Sequence, residues 1–578
     1  MPTLTVRIGE RSHVLSASVV LPVEAGESLS VELAAGGHWF GHGFSHVQPY
    51  PLETGRIANE HFAVNNIQCP AWMCSAGFVL LADTAEELTV RINADGDVRL
   101  TVACPGAAWQ LHVFTAPTFP RAHRSFLKFV GWPPPAPAFA PGESFFCTWT
   151  QFPRCLTQER IISMARQIRA HGYPCTTLIV DDRWESCFGE LEFGRDIPDP
   201  AALVRELHGM GFRVWLWVTP FVNREAATFA DLAGRRILVP RRDGDGAALL
   251  KWWGGTAGLV DLTAPAGRTW YREQLLRLKR AYGVDGFKID GGDAKYHPPL
   301  AEAAWHDYPG ASGYSDLLLA LCEEVAPHAC ETRTAWRSQS RRIVWREGGK
   351  DSHWGLDNGL AALVTLGLQS SLLGYDLLMP DMVPGRVQTM NAADPLPTDE
   401  LMVRWTEASA LFPLLQFSYL PWNYAAPTAA AVRGWASVHR ALGPYVAELW
   451  TDRTSPLLRP LWYDDPGNAQ LYTIADEFLL GGDVLAAPVL AAGVTQRDVV
   501  LPAGTWVDAW NATTHVAGRL AGHAAPCPGM PLFVRASRSD VLAAIQPVLA
   551  RIARGTVPSG ITTATYIAGL NRDLNVTG

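Results

Sequence analysis

Three textures of hydrophobic and polar positions follow one another along the chain. Over residues 1–140, short apolar or alternating runs such as Phe78-Val-Leu-Leu-Ala-Asp83 and Leu88-Thr-Val-Arg-Ile-Asn93 recur between Gly, Asn and Asp, which predicts an N-terminal β-sandwich. The proline cluster Trp132-Pro-Pro-Pro-Ala-Pro-Ala-Phe-Ala-Pro141 then marks a stiff boundary. Over 141–445, short apolar strands alternate with helical stretches such as Gln158 to His171 and Ala201 to Gly211. The predicted strands are 145–151, 176–182, 213–219, 286–290, 329–335 and 372–378, with another near 412–418. Sustained strand–helix alternation predicts an α/β fold, a (β/α)8 TIM barrel whose active site lies at the C-terminal ends of its strands. From 446 to 553 the β texture returns. Leu501-Pro-Ala-Gly-Thr-Trp-Val-Asp-Ala-Trp510 sets turn chemistry between alternating runs and Pro531-Leu-Phe-Val-Arg535 reads as a strand, so a smaller C-terminal β-sandwich is expected. Residues 554–578 read as a loosely packed tail.

Within the barrel segment, charge falls where apolar strands end. A parallel strand buried on both faces should be almost continuously apolar, so Lys288 and Asp290 in Asp285-Gly-Phe-Lys-Ile-Asp-Gly-Gly-Asp293 need a reason to be there. Asp181, Asp182, Arg333 and Asp381 also sit at predicted strand ends. Adjacent strand residues point to opposite faces, so only one of Asp181 and Asp182 is expected to point inward.

Composition narrows the function. At 578 residues the chain exceeds one core, and length alone predicts roughly three to four domains. With a net charge of −8 and no basic run, no nucleic-acid partner is expected. The 22 tryptophans offer flat faces for stacking on sugar rings, although most are individually expected to fill cores and domain interfaces. The N-terminus alternates like a strand and has no basic start followed by an apolar stretch, which predicts no signal peptide and a cytoplasmic location. The ten scattered cysteines read as free thiols, not as a disulfide frame or zinc site. Leu360 to Met379 is the strongest membrane candidate, but Gln369, Ser370, Ser371 and Asp376 interrupt it; a buried helix followed by a strand is the better reading, and no membrane partner is expected. His38, His42 and His46 invite a metal reading, but glycines at 36, 37, 41 and 43 oppose the helix that would align them. They are read as a loop reaching from the first sandwich toward the barrel mouth. No metal or cofactor is expected, and a homo-oligomer is left open.

Three segments resemble glycoside hydrolase family 31. Phe287-Lys-Ile-Asp-Gly-Gly-Asp293 is similar to its nucleophile strand, Gly374-Tyr-Asp-Leu-Leu-Met-Pro-Asp381 to its late barrel strand, and Asp476-Glu-Phe-Leu-Leu-Gly-Gly-Asp-Val-Leu-Ala-Ala-Pro-Val489 followed by Leu501-Pro-Ala-Gly-Thr-Trp506 to its C-terminal sandwich. Within the family, Val180-Asp-Asp-Arg-Trp-Glu-Ser-Cys-Phe-Gly-Glu190, Trp252-Trp-Gly-Gly255, Lys350-Asp-Ser-His-Trp-Gly355 and Leu378-Met-Pro-Asp-Met-Val383 resemble the myogenesis-regulating glycosidase branch. The resemblance implies α-galactoside hydrolysis.

Retaining hydrolysis needs two carboxyl groups about 5 Å apart, one ionised to attack the anomeric carbon and one protonated to release the leaving group. Asp290 is read as the nucleophile, with Lys288 on the same strand face helping to keep it ionised. The family's spacing back from Gly374 implies Asp351 as acid/base; Asp357, which follows a similar His-Trp-Gly, is the alternative. The resemblance further implies sugar contacts for Asp181, Asp182, Arg333 and Asp381, a stacking wall at Trp184, and a sugar contact or supporting role for Asp293. Trp217, Trp252 and Trp253 are pocket-wall candidates. Many family members have a histidine after the last barrel strand where Leu414-Leu-Gln-Phe-Ser418 offers Gln416 and Ser418, so the set of groups reading the sugar has changed. The expected function is a retaining α-glycosidase with two aspartates, releasing α-linked galactose from a small glycoside. An α-glucosidase or sulfoquinovosidase is the alternative within the same chemistry, and a catalytically silent carbohydrate-binding relative the alternative outside it. A metal-dependent barrel hydrolase is disfavoured, because the strand ends supply carboxylates without clustered histidines.

Overall fold

The computed structural model describes residues 3–33, 37–45, 47–62, 66–132, 137, 140–152, 156–244, 246–385, 397–451 and 455–552. Gly36, His46, Cys155, most of the proline cluster and the tail expected over 554–578 lie outside the described residues.

A six-stranded and a five-stranded antiparallel sheet form the N-terminal sandwich. Alternation builds it: Leu88–Ile92 buries every second side chain, and Val6, Val31, Leu80, Val90 and Leu100 meet in its core. Eight parallel strands follow: β1 (Ser144–Cys147), β2 (Cys175–Val180), β3 (Arg213–Val218), β4 (Gly286–Ile289), β5 (Cys330–Thr332), β6 (Val344–Arg346), β7 (Leu378–Met379) and β8 (Leu415–Phe417). They lie in the order β7-β6-β5-β4-β3-β2-β1-β8. A parallel bridge between Val383, just past β7, and Phe417 on β8 brings the two edges together and closes the barrel.

Strand β6 escaped the sequence reading. Parallel strands are usually joined by a helical crossover, but residues 333–343 between β5 and β6 contain no helix. The N-terminal sandwich covers that side instead. Ala335 bridges Ile67, Trp336 joins the sandwich core and donates its indole N–H to the Thr84 carbonyl at 3.0 Å. The strand predicted over 372–378 is also displaced: helix Leu360–Leu372 occupies its start and β7 begins only at Leu378. Every residue from 360 to 379 except Ala361 is buried, so periodicity cannot separate helix from strand there. Its polar residues serve contacts between units: Gln369 accepts from Gly41 N at 2.6 Å, and Ser371 donates to Asp376 and accepts from Leu458 N. Among the described residues, no helix is long and apolar enough to cross a membrane.

The C-terminal unit is a six-stranded antiparallel sheet. The turn expected within 501–510 is instead a bulge inside the single strand Gln496–Asp508, whose register shifts between Leu501 and Thr505. Pro502 lacks a ladder donor and Gly504 takes φ +123°, so the chain kinks without reversing. Helix Ala426–Thr451 runs on through position 446, the expected start of the C-terminal sandwich, and packs against the closing helix Ser539–Leu549.

Candidate active site

Strand β4 carries the centre of the site. Its lower end is pinned by Asp285, which accepts from Val214 N at 2.8 Å and meets His208 at 2.9 Å. Its upper end delivers Asp290 into a cavity of about 480 Å³ at the barrel mouth. Gly291 and Gly292 then both take left-handed conformations, φ +76° and +79°, which only glycine adopts without strain. A side chain at 291 would meet the Phe221 ring at 2.5 Å. This double turn carries Asp293 back to the same guanidinium that holds Asp290.

Arg333, one residue past β5, donates through Nε to Asp290 Oδ1 at 2.6 Å and through Nη2 to Asp293 Oδ2 at 2.9 Å. The Trp217 indole N–H reaches Asp290 Oδ2 at 3.1 Å. Burial alone would raise the Asp290 carboxyl, but Arg333, with Arg346, Lys288 and the Trp217 hydrogen bond, overrides it and holds the group well below the usual carboxylate range. Lys288 contributes from a distance: its Nζ lies 2.7 Å from Asp181 Oδ2 and 3.8 Å from Glu331 Oε1. Burial is the largest influence and works against its ammonium, but Asp181, Cys147 and Glu331 together outweigh it and push the group up.

The cavity is also lined by Asp181, Asp182, Lys288, Arg346 and Asp351. Both Asp181 and Asp182 line it, contrary to the expectation from strand alternation, because β2 ends at Val180 and the two acids lie in the loop beyond the pleat. Burial first, and Asp181 second, push the Asp182 carboxyl up from 3.8 to about 7. Asp351 is buried, and its Oδ2 accepts from the Asn358 amide at 3.0 Å. Asp357 is exposed, lies outside the lining and faces His353 at 3.7 Å.

Several expected sugar contacts fall behind the wall. Trp184 is fully buried and spends its N–H on the Trp217 carbonyl at 2.7 Å, so it supports the wall without facing the cavity. Trp252 stacks behind Trp217 and bonds Asn223. Asp293 accepts from Arg333 and Thr334, while Asp381 accepts from Arg346 at 3.1 Å and Lys350 N at 2.9 Å; neither lines the cavity. Gln416 donates to Glu331 and Ser418 accepts from Thr150 N, so neither is presented to the cavity. Trp217 and Trp253 do line it, and Trp253 stands half exposed at the rim beside Tyr296.

Phe44 and Asn66 come from the N-terminal sandwich, and Asn66 accepts from Arg333 Nη1 at 3.0 Å. Phe44 lies within the histidine-containing segment expected to approach the mouth. Asn66, Arg346, Glu331 and Asn358 were absent from the sequence reading. Arg346 follows the short apolar run Ile343-Val-Trp345 and Glu331 follows Ala329-Cys330, a weaker form of the signal at Lys288; Asn66 and Asn358 lie in loops with no such signal. Among the described residues, no cluster of histidine, cysteine and acidic side chains suits a metal ion.

A closed parallel barrel between antiparallel sheets, with separate carboxylates in one cavity at the C-terminal strand ends, is the layout in which barrel glycosidases place their chemistry. Family models agree over most of the chain: the myogenesis-regulating glycosidase N-terminal domain matches residues 4–112, the glycosyl hydrolases family 31 TIM-barrel domain 133–449, and the glycosyl hydrolase family 31 C-terminal domain 454–538. The chain belongs to glycosyl hydrolase family 31. It is 35% identical over 373 residues to the myogenesis-regulating glycosidase of Mus musculus, covering 63% of this chain and 52% of that one. It is 31% identical over 390 residues to a 1,3-alpha-isomaltosidase of Kribbella flavida, covering 61% and 51%. The chain thus spans about half the length of these curated relatives. A family 31 alpha-xylosidase from a soil metagenome, solved with xylose, shares the fold with a TM-score of 0.76 at 21% identity, over 92% of this chain and 82% of that one.

Proposed function

We propose that this chain is a retaining α-glycosidase acting on a small α-galactoside, with Asp290 as nucleophile and Asp351 as acid/base. One observation carries the reading: Asp290 and Asp351 line the same cavity, entering it past the ends of different strands. Asp290 is held ionised by Arg333, as a nucleophile must be, and Asp351 is a second, separate carboxyl in the cavity lining, oriented by the Asn358 amide. In a double displacement, Asp290 attacks the anomeric carbon while Asp351 gives its proton to the departing oxygen. Asp351 then deprotonates the water that releases the sugar. Asp357, exposed and outside the cavity, is poorly placed for this work.

The charge pattern favours a neutral sugar over a sulfonated one. Three buried cations near the floor already face carboxylates: Lys288 faces Asp181 and Glu331, Arg346 faces Glu331 and Asp381, and Arg333 faces Asp290 and Asp293. An added sulfonate bound by any of these three cations would have to break one of the pairs, a costly exchange in a buried site. The galactose assignment rests on the resemblance to the myogenesis-regulating glycosidase branch. The test is a panel of aryl α-galactoside, α-glucoside, α-xyloside and α-sulfoquinovoside. The α-galactoside is expected to show the highest kcat/KM; a preference for another member overturns the sugar assignment, and turnover of none overturns the hydrolase reading in favour of sugar binding alone.

A further inference from the structure

We infer that Glu331 is a positioning residue for this reaction, holding Lys288 and Arg346 from beneath the cavity floor in the poses from which they bond the sugar. The inference rests on reading the cavity as a glycosidase site. Lys288 and Glu331 are partners in the parallel ladder of β4 and β5, so their side chains share the inward face. Glu331 Oε1 lies 3.1 Å from Arg346 Nε and 3.8 Å from Lys288 Nζ, and Oε2 accepts from Gln416 Nε2 at 3.0 Å. A single carboxylate thereby ties together β4, β5, β6 and β8. It is fully buried and absent from the cavity lining, whereas both cations it holds are part of that lining. It therefore acts through them and not on the sugar.

Each cation has one further carboxylate partner, Asp181 for Lys288 and Asp381 for Arg346, and one uncharged partner, Cys147 Sγ for Lys288 and the Glu347 carbonyl for Arg346. Glu331 is the anchor they share. It also separates two buried like charges, which would otherwise repel in a medium of low dielectric. Without its charge, each cation keeps a single carboxylate partner and gains an unscreened repulsive neighbour. Glutamine at 331 preserves the shape and can still meet Gln416 but carries no charge; aspartate preserves the charge and draws it back by one methylene.

The experiment compares the full-length wild type, Glu331→Gln and Glu331→Asp on whichever aryl glycoside the wild type cleaves, with circular dichroism and thermal melts as controls for folding. Displacing groups that position a substrate typically costs about 100-fold, so Glu331→Gln is expected to lose about 100-fold in kcat/KM. The loss should be equal for good and poor leaving groups, be unaffected by azide and be partly recovered in Glu331→Asp. That pattern separates a disturbed sugar floor from a damaged acid/base. A folded Glu331→Gln with wild-type kcat/KM overturns the inference, as does a loss that azide restores or that Glu331→Asp does not relieve. If Glu331→Gln does not fold, Gln416→Leu carries the test: it strips the amide from Oε2 and is expected to lower kcat/KM by about 10-fold, and unchanged kcat/KM overturns the inference. An active wild type with an unimpaired Glu331→Gln defeats this inference alone. A wild type that cleaves none of the aryl glycosides defeats the functional reading and this inference together, whether or not it binds a free sugar.

Discussion

Arg333 and Asp290 face each other in the barrel mouth with Nε 2.6 Å from Oδ1, and the same guanidinium holds Asp293 through both terminal nitrogens at 2.9 and 3.3 Å. One side chain thus sets the charge state of the proposed nucleophile and secures the loop that presents it. Removing it should show both effects. Breaking a buried pair by deleting one partner costs about 3–5 kcal/mol, so Arg333→Met should lower stability in denaturant titrations by that order. In the same variant burial is no longer opposed by the adjacent cation, so the Asp290 carboxyl rises and the acidic limb of the kcat/KM profile moves to higher pH. An unmoved acidic limb in a folded variant contradicts this account of Asp290.

Replacing Asp290 itself by Asn should leave the fold intact and abolish turnover. Losing a covalent nucleophile costs roughly 10,000-fold or more in kcat, and steady-state kinetics on an aryl glycoside would read it. Substantial residual activity removes Asp290 from the role.

The two acid/base candidates separate by leaving group. Asp351→Ala should slow a poor leaving group far more than an activated one, because only the former needs protonation. Azide should restore turnover by taking the attacking role of the water that Asp351 otherwise activates. Asp357→Ala, altering an exposed side chain outside the cavity, should be close to wild type. Azide rescue in Asp357→Ala alone reverses the assignment.

Asp182 predicts a pH effect on stability and on binding. Its carboxyl ionises near 3.8 when unfolded and near 7 in the folded chain. Between those values the folded state holds the extra proton, so its contribution to stability falls as pH rises from about 4 to 7 and stays low above that. Asp182→Asn removes the titration. Its melting temperature relative to wild type should therefore be higher at pH 8 than at pH 4. Below pH 7 the protonated wild-type group can donate a hydrogen bond to a sugar hydroxyl, so the dependence of KM on pH across 7 should flatten in the variant. An unchanged melting-temperature difference from pH 4 to pH 8 contradicts the assignment of this titration to Asp182.

Trp253, half exposed at the rim with Tyr296 at a ring separation of 5.2 Å, offers a face to whatever the sugar is attached to. Ring stacking is worth about 0.5–1.5 kcal/mol, so Trp253→Ala should raise KM by up to about 10-fold for substrates with a sugar or aryl leaving group. Substrates with a small alkyl leaving group should change little. Equal KM changes for both kinds of substrate would place Trp253 elsewhere in the recognition.

Much of this arrangement is legible in the sequence where a charge interrupts an apolar strand. Lys288 and Asp290 stand out in that way and lie in the cavity. Arg346 only ends a short apolar run, and β6 is three residues long and lacks a preceding helix, so the strand that would give the charge its meaning goes unseen. Strand periodicity misleads for Asp181 and Asp182, because the pleat stops one residue earlier. Position along the chain also cannot distinguish a side chain that faces the cavity from one that holds its neighbour: Asp293 and Asp381 sit at strand ends and turn to Arg333 and Arg346. Asn66 was beyond reach, since its place beside Arg333 depends on how the sandwich docks against the loop after β5.

The central claim is tested most directly by trapping the covalent intermediate. The wild-type protein would be incubated with the 5-fluoro glycosyl fluoride of the sugar it releases, digested, and mapped by mass spectrometry. The account predicts one fluorosugar on the peptide containing Asp290, none in Asp290→Asn, and release of product with retained anomeric configuration. Label on any other residue, or an inverted product without label, would contradict it.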